Sequence, residues 1–287
     1  MNILVTGANG QLGSEIRNMA LGSRNHYVFS DVTVLPGNDT VNLDITNIDA
    51  VRIVCGSEDV DVIVNCAGYT AVDKAEDEPA MAELLNLVAV KNLSEVASGR
   101  NATLMHISTD YVFDGTKNDL YIETDKTNPL NEYGKSKLAG EQEALKYSNS
   151  LVCRLSWVIG EGQQNFLFKL SGWLKNNKVI KVSGDEVSVP CFSFDIANTV
   201  IKALDKGLIG LYHLTNSGKA SRYELAKEFV KLKNFDNEIV PVPMASFNSK
   251  VQRPLVTAMS NAKISKELNI TIPEWNISLK KLLQNNF

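Results

Sequence analysis

Short apolar, β-branched runs recur through the first half of the chain, and each is followed by a longer stretch with apolar residues at helical spacing. Strands are predicted near Asn2–Thr6, Tyr27–Asp31, Val60–Cys66, Thr103–Thr109 and Leu151–Trp157. Helices are predicted over Gln11–Leu21, Asn47–Gly56, Pro79–Ser98 and Asn131–Tyr147. The runs are nearly continuous in apolar residues rather than alternating, as expected for parallel strands covered by helices on both faces. That order predicts an open α/β sheet built from βαβ units. After about Trp157 the pattern loosens. Helices are predicted near Phe166–Asn176, Phe194–Lys206, Arg222–Leu232, Asn261–Leu268 and Ile277–Gln284, with strands near Val179–Val182 and in "GLYHLTN". Residues 1–157 read as one domain, to which 192–212 return, and 158–287 as a smaller lobe. No internal repeat or low-complexity tract interrupts the chain.

Composition narrows this picture only a little. The 287 residues are 44% hydrophobic, enough for one large or two modest domains. Charged residues make up 22% and the net charge is −4, with no basic stripe to hold nucleic acid. The chain opens directly on a strand, without a basic, signal-like segment, and no run is apolar enough to span a bilayer. Cys55, Cys66, Cys153 and Cys191 match no zinc spacing and read as buried free thiols, so the expectation is a reducing cytoplasm with no membrane partner.

Candidate chemistry begins in "ILVTGANGQLG", which places Gly7, Gly10 and Gly13 in a G-x-x-G-x-x-G pattern between a strand and a helix. Glycines there allow a tight turn and close backbone approach to a pyrophosphate, and the helix start, through Gln11, Leu12 and Gly13, offers N–H groups to it. The predicted fold is therefore a Rossmann-type doubly wound parallel sheet with a smaller, mostly C-terminal α+β substrate lobe. Asp31 ends the second strand, where a carboxylate can accept from adenosine ribose hydroxyls, which favours NAD. No arginine in "DVTVLPGN" would meet a 2′-phosphate. Asp44 and Ile45 in "NLDITN" are expected beside adenine. Cys66, Ala67 and Gly68 are expected beside the cofactor at the end of the third strand.

In "NPLNEYGKSKLAGEQEALK" Tyr133 and Lys137 stand four apart, on one helical face. An ammonium beside a phenol favours tyrosinate, so the expectation is a Tyr133 pKa lowered toward the working range. Thr109 ends the fourth strand, where open α/β sheets bind ligands, and could donate to a substrate carbonyl. His106, inside that strand, reads as a packed core histidine. Phe166, Phe168 and Trp173 read as the apolar side of a helix that packs the lobe.

These residues together resemble the extended short-chain dehydrogenase/reductase superfamily, and more closely its dTDP-4-dehydrorhamnose reductase family. The stretches that carry the resemblance are "DVIVNCAGYTAVDKAEDEP", "STDYVFDG", "ETDKTNPLNEYGKSKLAGE", "RLSWVIGEGQQNF", "GLYHLTNSG" and Arg253–Pro254. It runs over almost the whole chain and is most specific in the middle third. The resemblance implies reduction of the 4-keto group of dTDP-6-deoxy-L-lyxo-4-hexulose to dTDP-L-rhamnose with NADPH or NADH. Tyr133 would be the proton donor, Lys137 would hold the nicotinamide ribose, and Thr109 would hydrogen-bond the ketone. Asp110, Trp157, Asn165 and Thr70–Val72 (Thr70, Val72) would line the sugar pocket, and Arg253 would meet the diphosphate.

Family members described as metal-bridged dimers match at Glu15. Where a second glutamate is expected, "PCFSFDIAN" offers only Asp195, so no metal is predicted and a homodimer is left open. Nucleotide-sugar dehydratases carry an Asp–Glu pair after the threonine; here the place reads Asp110–Tyr111, which argues against dehydration. A reductase or epimerase of another nucleotide 4-keto-6-deoxy sugar remains an alternative. So does a non-catalytic dinucleotide-binding subunit, which would need the glycines but not the Thr/Tyr/Lys set.

Overall fold

The computed structural model describes residues 1–286, with side chains to Gln284. Seven parallel strands form the central sheet: β1 (Asn2–Thr6), β2 (His26–Asp31), β3 (Val41–Asn42), β4 (Val62–Asn65), β5 (Thr103–Thr109), β6 (Ser150–Leu155) and β7 (Gly210–His213). Their order is β7-β6-β5-β4-β1-β2-β3. The direction of winding reverses between β1 and β4, which opens a crevice at their carboxyl ends.

Alternate residues of a strand face opposite sides, and here both sides are buried. Ile3 and Val5 of β1 pack with Leu12, Ile16, Ile196 and Val200, so they face helices α1 (Gln11–Ala20) and Ser193–Asp205. Leu4 packs with Val51, Val90 and Leu93, facing α2 (Ile48–Ser57) and α3 (Ala89–Arg100). This is why the strand runs read as unbroken apolar segments. The next helix, α4 (Glu132–Leu145), starts at Asn131, whose Oδ1 accepts from the Gly134 N–H at 2.8 Å.

Part of the chain after β6 returns to the first core, and the rest builds a second. Leu167, Leu170 and Leu174 of α5 (Phe166–Asn176) pack with Leu225 and Phe229 of the helix Arg222–Leu232. Beside them the strands Val179–Ser183 and Glu238–Val242 pair in parallel. β7 lies far along the chain yet pairs with β6, Gly210 opposite Leu151.

Two expectations change. The helix predicted over Pro79–Ser98 forms and runs on to Arg100, but at Leu84–Val88, between Pro79–Glu83 and α3, it widens into a π-turn. Phe168 and Trp173 do not pack the lobe: each is 43% exposed, because α5 turns Leu167, Leu170 and Leu174 inward instead. All four cysteines are free thiols, with Cys66 half-buried and the others buried. Among the described residues, no helix is long and apolar enough to cross a membrane.

Candidate active site

The first feature of the crevice is the glycine-rich loop after β1. Gly7 has φ +65°, and a Cβ there would stand 2.6 Å from the Ala67 nitrogen, so only glycine fits against the end of β4. A Cβ on Gly13 would stand 2.4 Å from the Gly7 carbonyl oxygen. No side chain caps α1 at Gly10, which leaves its first N–H groups to a ligand. A backbone cradle that admits no Cβ, opening onto an uncapped helix start, fits a dinucleotide pyrophosphate. Leu12 is buried in the core, and Gln11 accepts from the Gly160 N–H at 3.0 Å, tying the loop to the segment after β6.

Asp31 lies beside this loop. Its carboxylate accepts from the Asn9 N–H and the Thr33 N–H, each at 3.1 Å, so it shapes the loop as well as offering lone pairs to a ribose. Asp44 caps a local turn through Thr46 at 2.9 and 2.7 Å. The Ile45 side chain is buried in the core, and its carbonyl accepts from the Asn92 amide at 3.2 Å. Cys66, Ala67 and Gly68 continue the crevice along β4, and burial pushes the Cys66 thiol up to about 12.

Thr109 ends β5, the Tyr133 phenol lies close enough to its hydroxyl to be lowered by it, and Lys137 is anchored to the same strand. Lys137 is only 5% exposed, and its ammonium donates to the Ile107 carbonyl at 2.5 Å. The expected electrostatics need correction. Burial raises the Tyr133 phenol to about 12, opposed by the Thr109 hydrogen bond and reinforced by the Asp110 charge. The lysine itself is lowered to about 8 by burial, against the pull of Glu141. Lys137 points its charge at the Ile107 carbonyl of β5, and the cost of burying a tyrosinate sets the Tyr133 phenol.

Several residues expected in the sugar pocket have their polar groups already engaged. The Asp110 carboxylate is 2% exposed and accepts from Ser188 at 2.9 Å, Thr257 at 2.5 Å and Thr109 at 3.2 Å. Asn165 caps α5: its Oδ1 accepts from the Phe168 N–H at 3.0 Å, and its amide donates to the Gly160 carbonyl at 2.8 Å and the Gly162 carbonyl at 3.1 Å. It is a buried loop clamp, not an open pocket wall. Arg253 donates to Asp73 at 2.8 Å and to Ser249 at 3.0 Å, so a phosphate must compete with Asp73 for it. Thr70 is exposed and Val72 half-buried, on the segment that carries Asp73. Trp157 holds φ +39°, a conformation a bulky residue adopts only when its surroundings force it. The Arg222 guanidinium stacks 3.6 Å from its ring centroid, which fixes the indole as a wall at the end of β6.

The whole chain, residues 1–287, matches the family model described as the RmlD substrate binding domain. It is 34% identical over 293 residues to the dTDP-4-dehydrorhamnose reductase of Aggregatibacter actinomycetemcomitans, covering 98% of this chain and 97% of that one. The chain belongs to the dTDP-4-dehydrorhamnose reductase family. Among solved structures, the fold is similar to a member from Clostridium acetobutylicum, with a TM-score of 0.93 at 34% identity and 99% of both chains covered. A Bacillus anthracis member in complex with NADP superposes with a TM-score of 0.91 at 29% identity, again over 99% of both chains.

Within this family fold, one residue of the crevice escaped the sequence reading. Asn86 sits in the π-turn, fully buried, and exchanges hydrogen bonds with the Tyr69 backbone at 2.9 and 3.0 Å. Its amide also donates to Ser136 Oγ at 3.0 Å, and that hydroxyl donates to the Tyr133 carbonyl at 2.9 Å. Asn86 thus locks the turn that carries Gly68 to the first turn of α4. A Cβ on Gly140 would stand 1.8 Å from the Asn86 carbonyl oxygen, so glycine lets α4 press against the π-turn. Only the polar Asn86 within the apolar run "LLNLV" hinted at this. His106 is buried, its Nδ1 3.1 Å from the Asn65 amide, and burial holds it well below the ordinary histidine range, as befits a core residue.

Proposed function

We propose that the chain reduces the C4 ketone of dTDP-4-dehydro-6-deoxy-L-mannose (dTDP-6-deoxy-L-lyxo-4-hexulose) to dTDP-L-rhamnose, with NADPH or NADH, in the cytoplasm. The observation that carries this reading is Thr109 and Tyr133 side by side at the end of β5, with Lys137 held to the same strand, next to a glycine cradle at the switch point of the sheet. When bound, the nicotinamide supplies a hydride to the sugar C4.

The residues divide the remaining work. Gly7, Gly10 and Gly13 with the start of α1 hold the pyrophosphate, and Asp31 receives the adenosine ribose hydroxyls. Tyr133 gives its proton to the developing alkoxide; a phenol raised to about 12 is fully protonated at neutral pH and matched to that task. Lys137, lowered to about 8, is still mostly cationic at neutral pH and can hold a ribose hydroxyl while stabilising the tyrosinate left behind. Thr109 hydrogen-bonds the ketone, and Trp157 with Val72 walls the sugar. Arg253 exchanges Asp73 for the diphosphate, since a guanidinium fork suits phosphate oxygens. Residues 1–157, with 192–212, form the cofactor domain and the remainder the substrate lobe.

The test follows absorbance at 340 nm with NADH or NADPH and the dTDP-4-keto-6-deoxy sugar, its 3,5-epimerase present to supply the L-lyxo form. Oxidation that requires both sugar and epimerase is expected. Protein that binds cofactor but oxidises none of it would overturn the reading and point to another nucleotide sugar or to a dinucleotide-binding subunit.

A further inference from the structure

A threonine hydroxyl has one proton, and at Thr109 a carboxylate stands ready to take it. Thr109 Oγ1 donates to Asp110 Oδ1 at 3.2 Å. Thr109 Oγ1 also accepts from the Tyr111 N–H at 3.2 Å. With Asp110 ionised, the count closes in one way. Thr109 donates to Asp110 and accepts from Tyr111, so it has no proton for a ketone. With Asp110 protonated on Oδ1, the carboxyl donates to Thr109, Tyr111 still donates, and the Thr109 proton is released toward the crevice.

We propose that Asp110 is a positioning residue that sets which way the Thr109 hydroxyl points, and so whether Thr109 can polarise the substrate ketone. This rests on the ketone reductase reading above. Asp110 is well placed for the task. Its other oxygen, Oδ2, is held by Ser188 of the strand Val187–Ser188 and by Thr257, whose hydroxyls are themselves 3.0 Å apart. That anchoring leaves Oδ1 alone to face Thr109. The charged and titratable groups that act on Asp110, or feel it, are Arg222 from the small lobe, Tyr133 from α4, Tyr111 beside it and Cys191. Burial pushes the carboxyl up to about 6, while the hydroxyls of Thr257, Ser188 and Thr109, and the charge of Arg222, pull it back. The switch therefore works near neutral pH: lower pH frees the Thr109 proton, and higher pH captures it.

Two variants separate this from a merely structural role. In Asp110→Asn the two hydroxyl donors fix the amide oxygen in the place of Oδ2, so the amide nitrogen must face Thr109 and donate to it at every pH. In Ser188→Ala one stabilising donor is lost and the carboxyl moves further up. The first readout needs no substrate. The Asp110 carboxyl and Thr109 Cβ carbon resonances are followed by NMR from pH 4.5 to 8.5. One shared midpoint near 6 is expected in the wild type, a higher midpoint in Ser188→Ala, and a Thr109 resonance independent of pH in Asp110→Asn. The second readout is the rate of hydride transfer in a single turnover. It should fall on the order of a hundred- to a thousandfold as pH rises through the same midpoint, the usual worth of one oriented donor, and be flat in Asp110→Asn. A Thr109 resonance that does not follow Asp110, or a midpoint unmoved in Ser188→Ala, overturns the proposal. A coupled titration in protein that reduces no sugar leaves the Asp110–Thr109 switch standing and sinks the substrate reading instead.

Discussion

Two cations are buried in this molecule within one helical turn of the same carboxylate, and they are treated in opposite ways. Arg154 on β6 has both oxygens of Glu141, at 2.9 and 2.5 Å, and also meets His213 at 3.3 Å and stacks 5.0 Å from the Phe113 ring. Both members of that ion pair have side chains only 3% exposed. Lys137, one turn before Glu141 on α4, keeps a single backbone carbonyl and is lowered to about 8. Glu141 lends it attraction but no hydrogen bond. A buried charge whose donors are all matched holds structure together. A buried charge left with one partner is poised to take another, and here the open side faces the crevice.

The largest effect should come from the matched pair. Arg154→Met leaves Glu141 buried and alone, which costs about 3–5 kcal/mol of stability, readable as a large drop in the urea midpoint. The double variant Arg154→Met/Glu141→Leu should recover much of that loss; no recovery would mean that packing rather than pairing holds β6 to α4. Lys137→Met should do the reverse. Its stability at pH 7 should hold or rise, because a desolvated charge is removed, while kcat/KM falls on the order of a hundredfold. A loss of stability as large as that of Arg154→Met would erase the contrast between the two cations.

The pH dependence sharpens the same contrast. The folded protein binds the Lys137 proton more weakly than the unfolded chain, about 8 against the ordinary 10.5. The penalty is therefore complete below pH 8 and is relieved as pH rises from 8 toward 10.5. Melting curves of the wild type should gain on those of Lys137→Met across that window, and parallel curves would argue against an unpaired lysine. The smallest effect belongs to Asp31. Asp31→Ser removes a carboxylate that a 2′-phosphate would meet, so the preference for NADPH over NADH should rise roughly tenfold in initial rates, about one charge-assisted hydrogen bond.

The parts of this account legible in the sequence are those set by neighbours along the chain. Strand and helix alternation, the glycine turn and the Tyr133–Lys137 spacing are each written in residues close together along the chain, and the folded chain keeps them. What was not legible depends on partners far along the chain. Asp110 takes its hydroxyls from residues 78 and 147 positions away, and Arg253 meets an aspartate 180 positions away. The expected lowering of the Tyr133 phenol failed for the same reason: helical spacing brings two side chains to one face but does not say how deeply the folded chain buries the phenol. Asn165 followed "EGQQNF" into a cap because its polar amide satisfies the start of α5. The exposure of Phe168 and Trp173 depends on which stripe of α5 the small-lobe core accepts.

The most direct test of the central claim compares wild type with Tyr133→Phe at 340 nm, with cofactor affinity measured on the same samples. Tyr133→Phe is expected to bind NADPH or NADH as the wild type does but to oxidise it on the order of 10²–10⁴ times more slowly in the presence of sugar and epimerase. Wild-type turnover in Tyr133→Phe would contradict the central claim, and the proton donor would have to be sought elsewhere at the end of β5.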